Sequence, residues 1–118
     1  MKTTRTKVYL AGPITGGGNV LANIRHALQT ARTLLWAGYA PYIPHLSCYW
    51  ETVCAIPVED MIALDCEYLA VCDVLLRLPG TSPGADREVV MADELGLRVY
   101  TNIDDLLQHE RAELAHVH

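Results

Sequence analysis

The stretch KVYLAGPITGGGN, residues 7–19, decides the fold. Its first four residues are a short apolar run of strand type, and the run empties into a loop with glycine at positions 12, 16, 17 and 18. A strand that ends in a glycine-rich turn and continues into a helical pattern opens a β-α-β unit, in which helices cover a parallel sheet. Asn19 or a neighbour starts the helix, whose apolar stripe runs Val20, Ile24, Ala27, Leu28, Ala31, Leu35, and Gly38 ends it.

The alternation continues to the end of the chain. Residues 39–43 read as a second strand cut short by Pro44, followed by a long loop, 45–56, that carries Tyr49 and Trp50 among polar residues. A helix is expected over 57–72, with Pro57 in its first turn and Glu59 and Asp60 complementing its dipole. Residues 74–78 form the third strand, PGTSPG leads into a helix over 84–95 closed by Gly96, 98–100 is a fourth strand, and 104–115 a last amphipathic helix. Right-handed crossovers then give an α/β, Rossmann-like or flavodoxin-like three-layer sandwich with a mainly parallel sheet of four to five strands in the order 2-1-3-4.

Composition narrows the partners. The 118 residues suffice for one core, so 1–118 is read as a single domain. Hydrophobic residues make up 51% and charged residues 19%, an apolar excess that points to a homodimer or higher homo-oligomer. A net charge of -5 without a basic face argues against nucleic acid as partner. The chain has no apolar run of bilayer length, and its start, MKTTRTKVYLAGPI, lacks a secretory signal's core and cleavage site. A cytoplasmic protein with no membrane partner is expected. Cys48, Cys54, Cys66 and Cys72 form no CxxC pair and read as buried free thiols. His45, Cys48 and Cys54 share a loop but match no standard zinc spacing, so no metal and no cofactor is expected. His116 and His118 read as a frayed end.

Two carboxylates stand where apolar residues belong. On the second expected helix the stripe Val58, Met61, Ile62, Leu69, Cys72 has Asp65 at its centre, and on the third Glu88 extends the stripe Met91, Ala92, Leu95 by one turn. An unpaired ionised carboxylate in apolar surroundings costs several kcal/mol, so a chemical role competes with a purely hydrogen-bonding one at both positions.

The strand order places a switch point between strands 1 and 3, and ligands of open parallel sheets bind beyond the carboxyl ends of the strands there. The loops AGPITGGGN and LPGTSPGADRE face that crevice, and Glu88 projects into it. Gly12, Ile14, Gly16 and Gly17 are candidates for binding a ligand through backbone N–H groups, against the alternative of a flexible turn. The spacing is neither a Walker loop nor GxGxxG. Ser82 and Gly84 can bind a phosphate or a sugar hydroxyl, and Ser82 can equally be a helix cap. Tyr9 can orient a carboxylate from the end of strand 1 or simply pack in the core. Tyr42, Tyr49 and Trp50 offer faces for a flat base, with a hydrophobic lid or subunit contact as the competing reading. His45 can contact a ligand or serve as a hydrogen-bonded structural histidine.

The run VYLAGPITGG, the later GYAPYIP, Asp65 eight residues ahead of Asp73 in DCEYLAVCD, and LLRLPGTSPGADRE with its GxxxE spacing together resemble the nucleoside 2-deoxyribosyltransferase superfamily, over residues 7–100. The resemblance is greatest to its small phage and bacterial members of unassigned function, then to the deoxynucleoside 5'-monophosphate N-glycosidases. It implies a nucleoside or nucleotide as the small-molecule partner, Glu88 as nucleophile, Tyr9 as the tyrosine that hydrogen-bonds it, Asp65 as the aspartate that protonates the leaving base or contacts substrate hydroxyls, and Ser82 as the phosphate-holding serine. Thr15 stands where the monophosphate hydrolases carry an arginine, which sets a 5'-phosphate in question. The transferases complete their site from a neighbouring subunit's C-terminal region, and the tail here is short.

The chemistry so implied is a retaining displacement at C1' through a glycosyl-glutamate ester, followed by hydrolysis or transfer to a second base. The two carboxyl groups of such a site are expected about 5 to 6 Å apart, one with a raised pKa. A non-catalytic nucleotide or sugar-nucleotide sensor is the competing function.

Overall fold

The computed structural model of the protein describes residues 4–117. Its strands are β1 (Lys7–Ala11), β2 (Ala40–Tyr42), β3 (Val74–Arg77) and β4 (Arg98–Tyr100), and its helices are α1 (Val20–Trp36), α2 (Ser47–Val53), α3 (Val58–Ala70), α4 (Pro83–Glu94) and α5 (Ile103–Val117). The sheet is wholly parallel in the order β2-β1-β3-β4, as the alternating pattern predicts.

Strand alternation sorts the core into two layers. Val8, Leu10, Val74 and Leu76 face one way and pack with Ala27, Ala31 and Leu34 of α1 and Leu106 of α5. Tyr9, Ala11 and Leu75 face the other way and pack with Leu69 of α3 and Ala85 and Ala92 of α4. The three-layer sandwich follows from these opposite faces. Tyr9 therefore lies on the side of the sheet covered by the two helices that carry Asp65 and Glu88.

The boundaries have local causes. Asn19 caps α1, its side chain accepting the Ala22 N–H at 3.0 Å, and Gly38 follows the helix with φ of +98°. The buried stripe of α1 is Ala27, Ala31, Leu34 rather than a stripe through Leu28 and Leu35, both of which are exposed. Leu34 is seven residues after Ala27, two full turns, whereas Leu35 lies about 100° further round. Pro57 is the N-cap of α3 and not part of its first turn, and Leu95 is exposed beyond the end of α4.

Two expectations are corrected more substantially. The segment 45–56 is not a loop throughout: a 3-10 turn at Pro44–Leu46 runs into α2. The last helix runs two residues past its expected end at 115, since α5 extends through Val117, while His118 lies outside the described residues. Of the cysteines only Cys72 is buried, and all four are free. No helix among the described residues is long and apolar enough to cross a membrane.

The turns after β1 and β3 are pressed against one another. A Cβ on Gly12 would lie 2.8 Å from the Leu78 Cβ, one on Gly16 would lie 2.9 Å from the Thr81 carbonyl oxygen, and one on Gly80 would lie 2.8 Å from Pro13 Cγ. Glycine at Gly12 and Gly16 thus serves close approach of two chain segments. Gly12→Ala should lower stability by roughly 1–3 kcal/mol through this overlap. Urea unfolding checks it, a lower midpoint being the expected result and an unchanged midpoint the contrary one.

Candidate active site

A cleft of about 510 Å³ opens where the turns after β1 and β3 meet the face shared by α3 and α4. That volume suits a small molecule. Gly12, Ile14, Gly16, Asp65, Ser82, Gly84 and Glu88 all line it, so seven of the residues singled out in the sequence converge. Tyr9, Gly17, Trp50 and His45 do not line it. Gly17 is an exposed turn glycine with φ of +77°. Trp50 lines a smaller, mostly apolar cavity between β2, α2 and α3. His45 is buried elsewhere, against the first turn.

Glu88 owes its place to the start of α4. Ser82 caps that helix by accepting the Ala85 N–H at 3.1 Å, Pro83 opens its first turn, and Ala85 and Ala92 bury the stripe on which Glu88 lies. Cap and cleft wall are therefore one residue, and the two readings of Ser82 are compatible. The Tyr9 phenol, wholly buried in the central strand, donates a hydrogen bond to Glu88 Oε2.

Burial pushes the Glu88 carboxyl up to about 7, against the opposing effect of the Tyr9 hydrogen bond. The Asp65 charge raises it further, and Arg87 and Arg77 pull it down. The Tyr9 hydroxyl is itself held far above the usual phenol range by burial and the Glu88 charge, so it is a permanent proton donor.

Asp65 reaches the cleft from α3. Met61 and Leu69, four residues to either side of it, are buried, whereas Val58 and Ile62 are exposed cleft-wall residues and not core. Its Oδ1 accepts the Tyr42 hydroxyl at 3.0 Å. Burial raises its carboxyl above the usual range and the Tyr42 hydrogen bond lowers it. A raised pKa is therefore shared by both carboxyls rather than marking one of them.

Several residues that shape the cleft carry no periodic signal in the sequence. Asn23 of α1 donates to the Ile14 and Gly16 carbonyls at 3.0 and 2.9 Å and so ties down the first turn. Arg77 does the same for the second turn, donating to the carbonyls of Leu78 and Gly80 and pairing with Asp86 at 3.0 Å. Arg87 lines the cleft beside Glu88, where only its position in DRE could have flagged it. Thr15 also lines the cleft. Among the described residues no group of three or more His, Cys, Asp and Glu is arranged to hold a metal ion.

His45 is 1% exposed, and neither ring nitrogen has a hydrogen-bond partner of good geometry among the described residues, although the Pro13 backbone is close. Burial lowers its pKa to about 4, so it stays neutral at physiological pH.

Burial of Glu88 has a measurable consequence. Its folded pKa exceeds its unfolded value, so the native state binds the extra proton and stability falls as pH rises from about 4.5 to about 7. Glu88→Gln, which keeps an acceptor for Tyr9, should raise stability by roughly 1–3 kcal/mol above about pH 7, the gain fading towards about pH 4.5. Thermal melts of both proteins across this range check it, and a pH-independent difference would contradict the assignment.

Residues 6–101 match the model of a family described as a domain of unknown function (DUF4406). Among solved structures the chain is similar to a 2-desoxiribosyltransferase from Leishmania mexicana, with a TM-score of 0.61 and 18% sequence identity over 80% of this chain. The match takes in 61% of that chain, so the present protein spans less than two thirds of that enzyme's length. At this identity the likeness is one of fold. No curated protein matches the sequence.

Proposed function

The chain belongs to the DUF4406 family, and on that premise we propose that it cleaves the N-glycosidic bond of a nucleoside or nucleotide, as an N-glycosidase or a 2-deoxyribosyltransferase. The observation that carries the reading is the hydrogen bond from buried Tyr9 to Glu88 inside a cleft onto which Asp65 also opens. The fold shared with the 2-desoxiribosyltransferase supports it.

In this reading ionised Glu88 attacks C1'. A bond forms between a Glu88 oxygen and C1', the C1'–N bond breaks, and its electron pair leaves with the base. Asp65, protonated, gives its proton to the departing base and becomes carboxylate. Water or a second base then attacks C1' of the ester and regenerates Glu88, with Asp65 recovering a proton from the attacking group. The Tyr9 phenol holds Glu88 Oε2, and it favours the charged nucleophile over the neutral acid. Gly84, Ser82 and Arg87 offer a backbone N–H, a hydroxyl and a cation at the mouth of the same cleft for the rest of the substrate. The reading takes residues 1–118 as one domain acting in a homo-oligomer, for which exposed Trp36, Tyr49 and Val53 supply apolar surface.

The test is to incubate the protein with deoxynucleosides, ribonucleosides, their 5'-monophosphates and NAD, and to follow free base by chromatography. Release from at least one of them is expected, reduced roughly a thousand-fold or more in Glu88→Ala. Binding without release, unaffected by Glu88→Ala, would make the protein a nucleotide sensor instead. With an active substrate, kcat/KM should be bell-shaped in pH, because Glu88 must be ionised and Asp65 protonated, with one limb near the Glu88 value of about 7. A flat profile between about pH 5.5 and 8.5 would contradict Glu88 as nucleophile.

A further inference from the structure

Tyr9 and Tyr42 are direct partners in the parallel register of β1 and β2. Side chains at one register position share a sheet face, so both phenols point towards the layer of α3 and α4. Their ring centroids lie 5.3 Å apart, and each hydroxyl has its own carboxylate, Glu88 for Tyr9 and Asp65 for Tyr42. The second ring is fixed from its other side by Tyr68, stacked at 4.7 Å and 10°. Two adjacent strands therefore hold two acids from two helices through a matched pair of phenols.

We propose that Tyr42 is a positioning residue for Asp65, fixing the orientation of its carboxyl group and leaving Oδ2 as the oxygen that carries the proton delivered to the leaving base. The inference rests on the glycosidic reading above for the destination of that proton, and on the geometry alone for the anchoring. Its physical basis is the donor count. The Tyr42 hydroxyl has one proton, which goes to Oδ1 at 3.0 Å. An oxygen already accepting that proton is the poorer site for a second one, so neutral Asp65 is protonated on Oδ2. Without Tyr42 the carboxyl can rotate and exchange the roles of its two oxygens.

The groups facing Asp65 are Tyr42 from β2, Tyr9 from β1 and Glu88 from α4, with Arg87 and Arg77 acting on Glu88 in turn. Cys66 and Tyr68 come from α3 itself, the first on the cleft wall and the second against Tyr42. Of these, Tyr42 is the one that hydrogen-bonds Asp65, and its hydrogen bond favours the charged form. Its loss must therefore move the Asp65 titration to higher pH.

Tyr42→Phe tests this, since it keeps the stacked ring and removes only the hydroxyl. In carbon-13 NMR titrations of labelled aspartate, the Asp65 midpoint should move to higher pH in the variant. With an active substrate, kcat should fall about 10-fold with KM changed less than about 3-fold, and the limb of the rate profile set by Asp65 should follow the same movement. An unmoved Asp65 midpoint overturns the proposal, whether or not kcat falls, because a merely structural role would lower kcat without it. If the wild-type protein releases no base from any substrate, the glycosidic reading and the proton's destination fail, while the NMR midpoint still decides the anchoring.

Discussion

The hydrogen bond between the Tyr9 phenol and the Glu88 carboxylate constrains everything around the cleft. Tyr9 sits on the central strand with no access to solvent, so its hydroxyl must find an acceptor inside the protein or remain unsatisfied at a cost of about 1–3 kcal/mol. Glu88 supplies that acceptor from α4, and the contact fixes the rotation of the helix against the sheet. Once α4 is so placed, its N-terminus with Ser82 and Gly84 necessarily borders the same cleft. Burial of the acid is the price of this arrangement, visible as a carboxyl pushed up to about 7. The protein thus keeps a destabilising group where a purely structural design would use an apolar one.

The scaffold around that contact is rigid for identifiable reasons. Three glycines allow the turns after β1 and β3 to touch, and Asn23 and Arg77 bind the carbonyls those turns leave exposed. Glu88 and Asp65 come from different helices and are held by neighbouring strands, so their spacing is set by sheet geometry rather than by a flexible loop. Such a frame suits a reaction in which nucleophile and acid must address opposite ends of one breaking bond.

Much of this was legible in the sequence because it follows from periodicity. The period-two strands, the glycine turns and the right-handed crossover rule fix the order 2-1-3-4, and that order brings the first and third turns together. Glu88 and Asp65 were visible as charges interrupting apolar stripes. What escaped was whatever depends on phase or on contacts between distant segments. Leu34 and Leu35 differ by one position, yet one is core and the other exposed. The seven-residue helix α2 has no side-chain cap, so its aromatic and polar residues look like a loop. Glycines that resemble an anion-binding turn are in part packing residues, a distinction that needs the position of Leu78, Thr81 and Pro13. Tyr42 looked like a face for stacking, whereas its hydroxyl is committed to an acid 23 residues away.

The central claim is that Glu88 becomes covalently bonded to the sugar. Acid quenching of the protein during turnover of a released-base substrate, followed by proteolysis and peptide mass spectrometry, tests it most directly. The account predicts a glycosyl increment on the peptide that contains Glu88, absent in Glu88→Gln. Base release during which that peptide never carries the increment, at quench times shorter than one turnover, would contradict it.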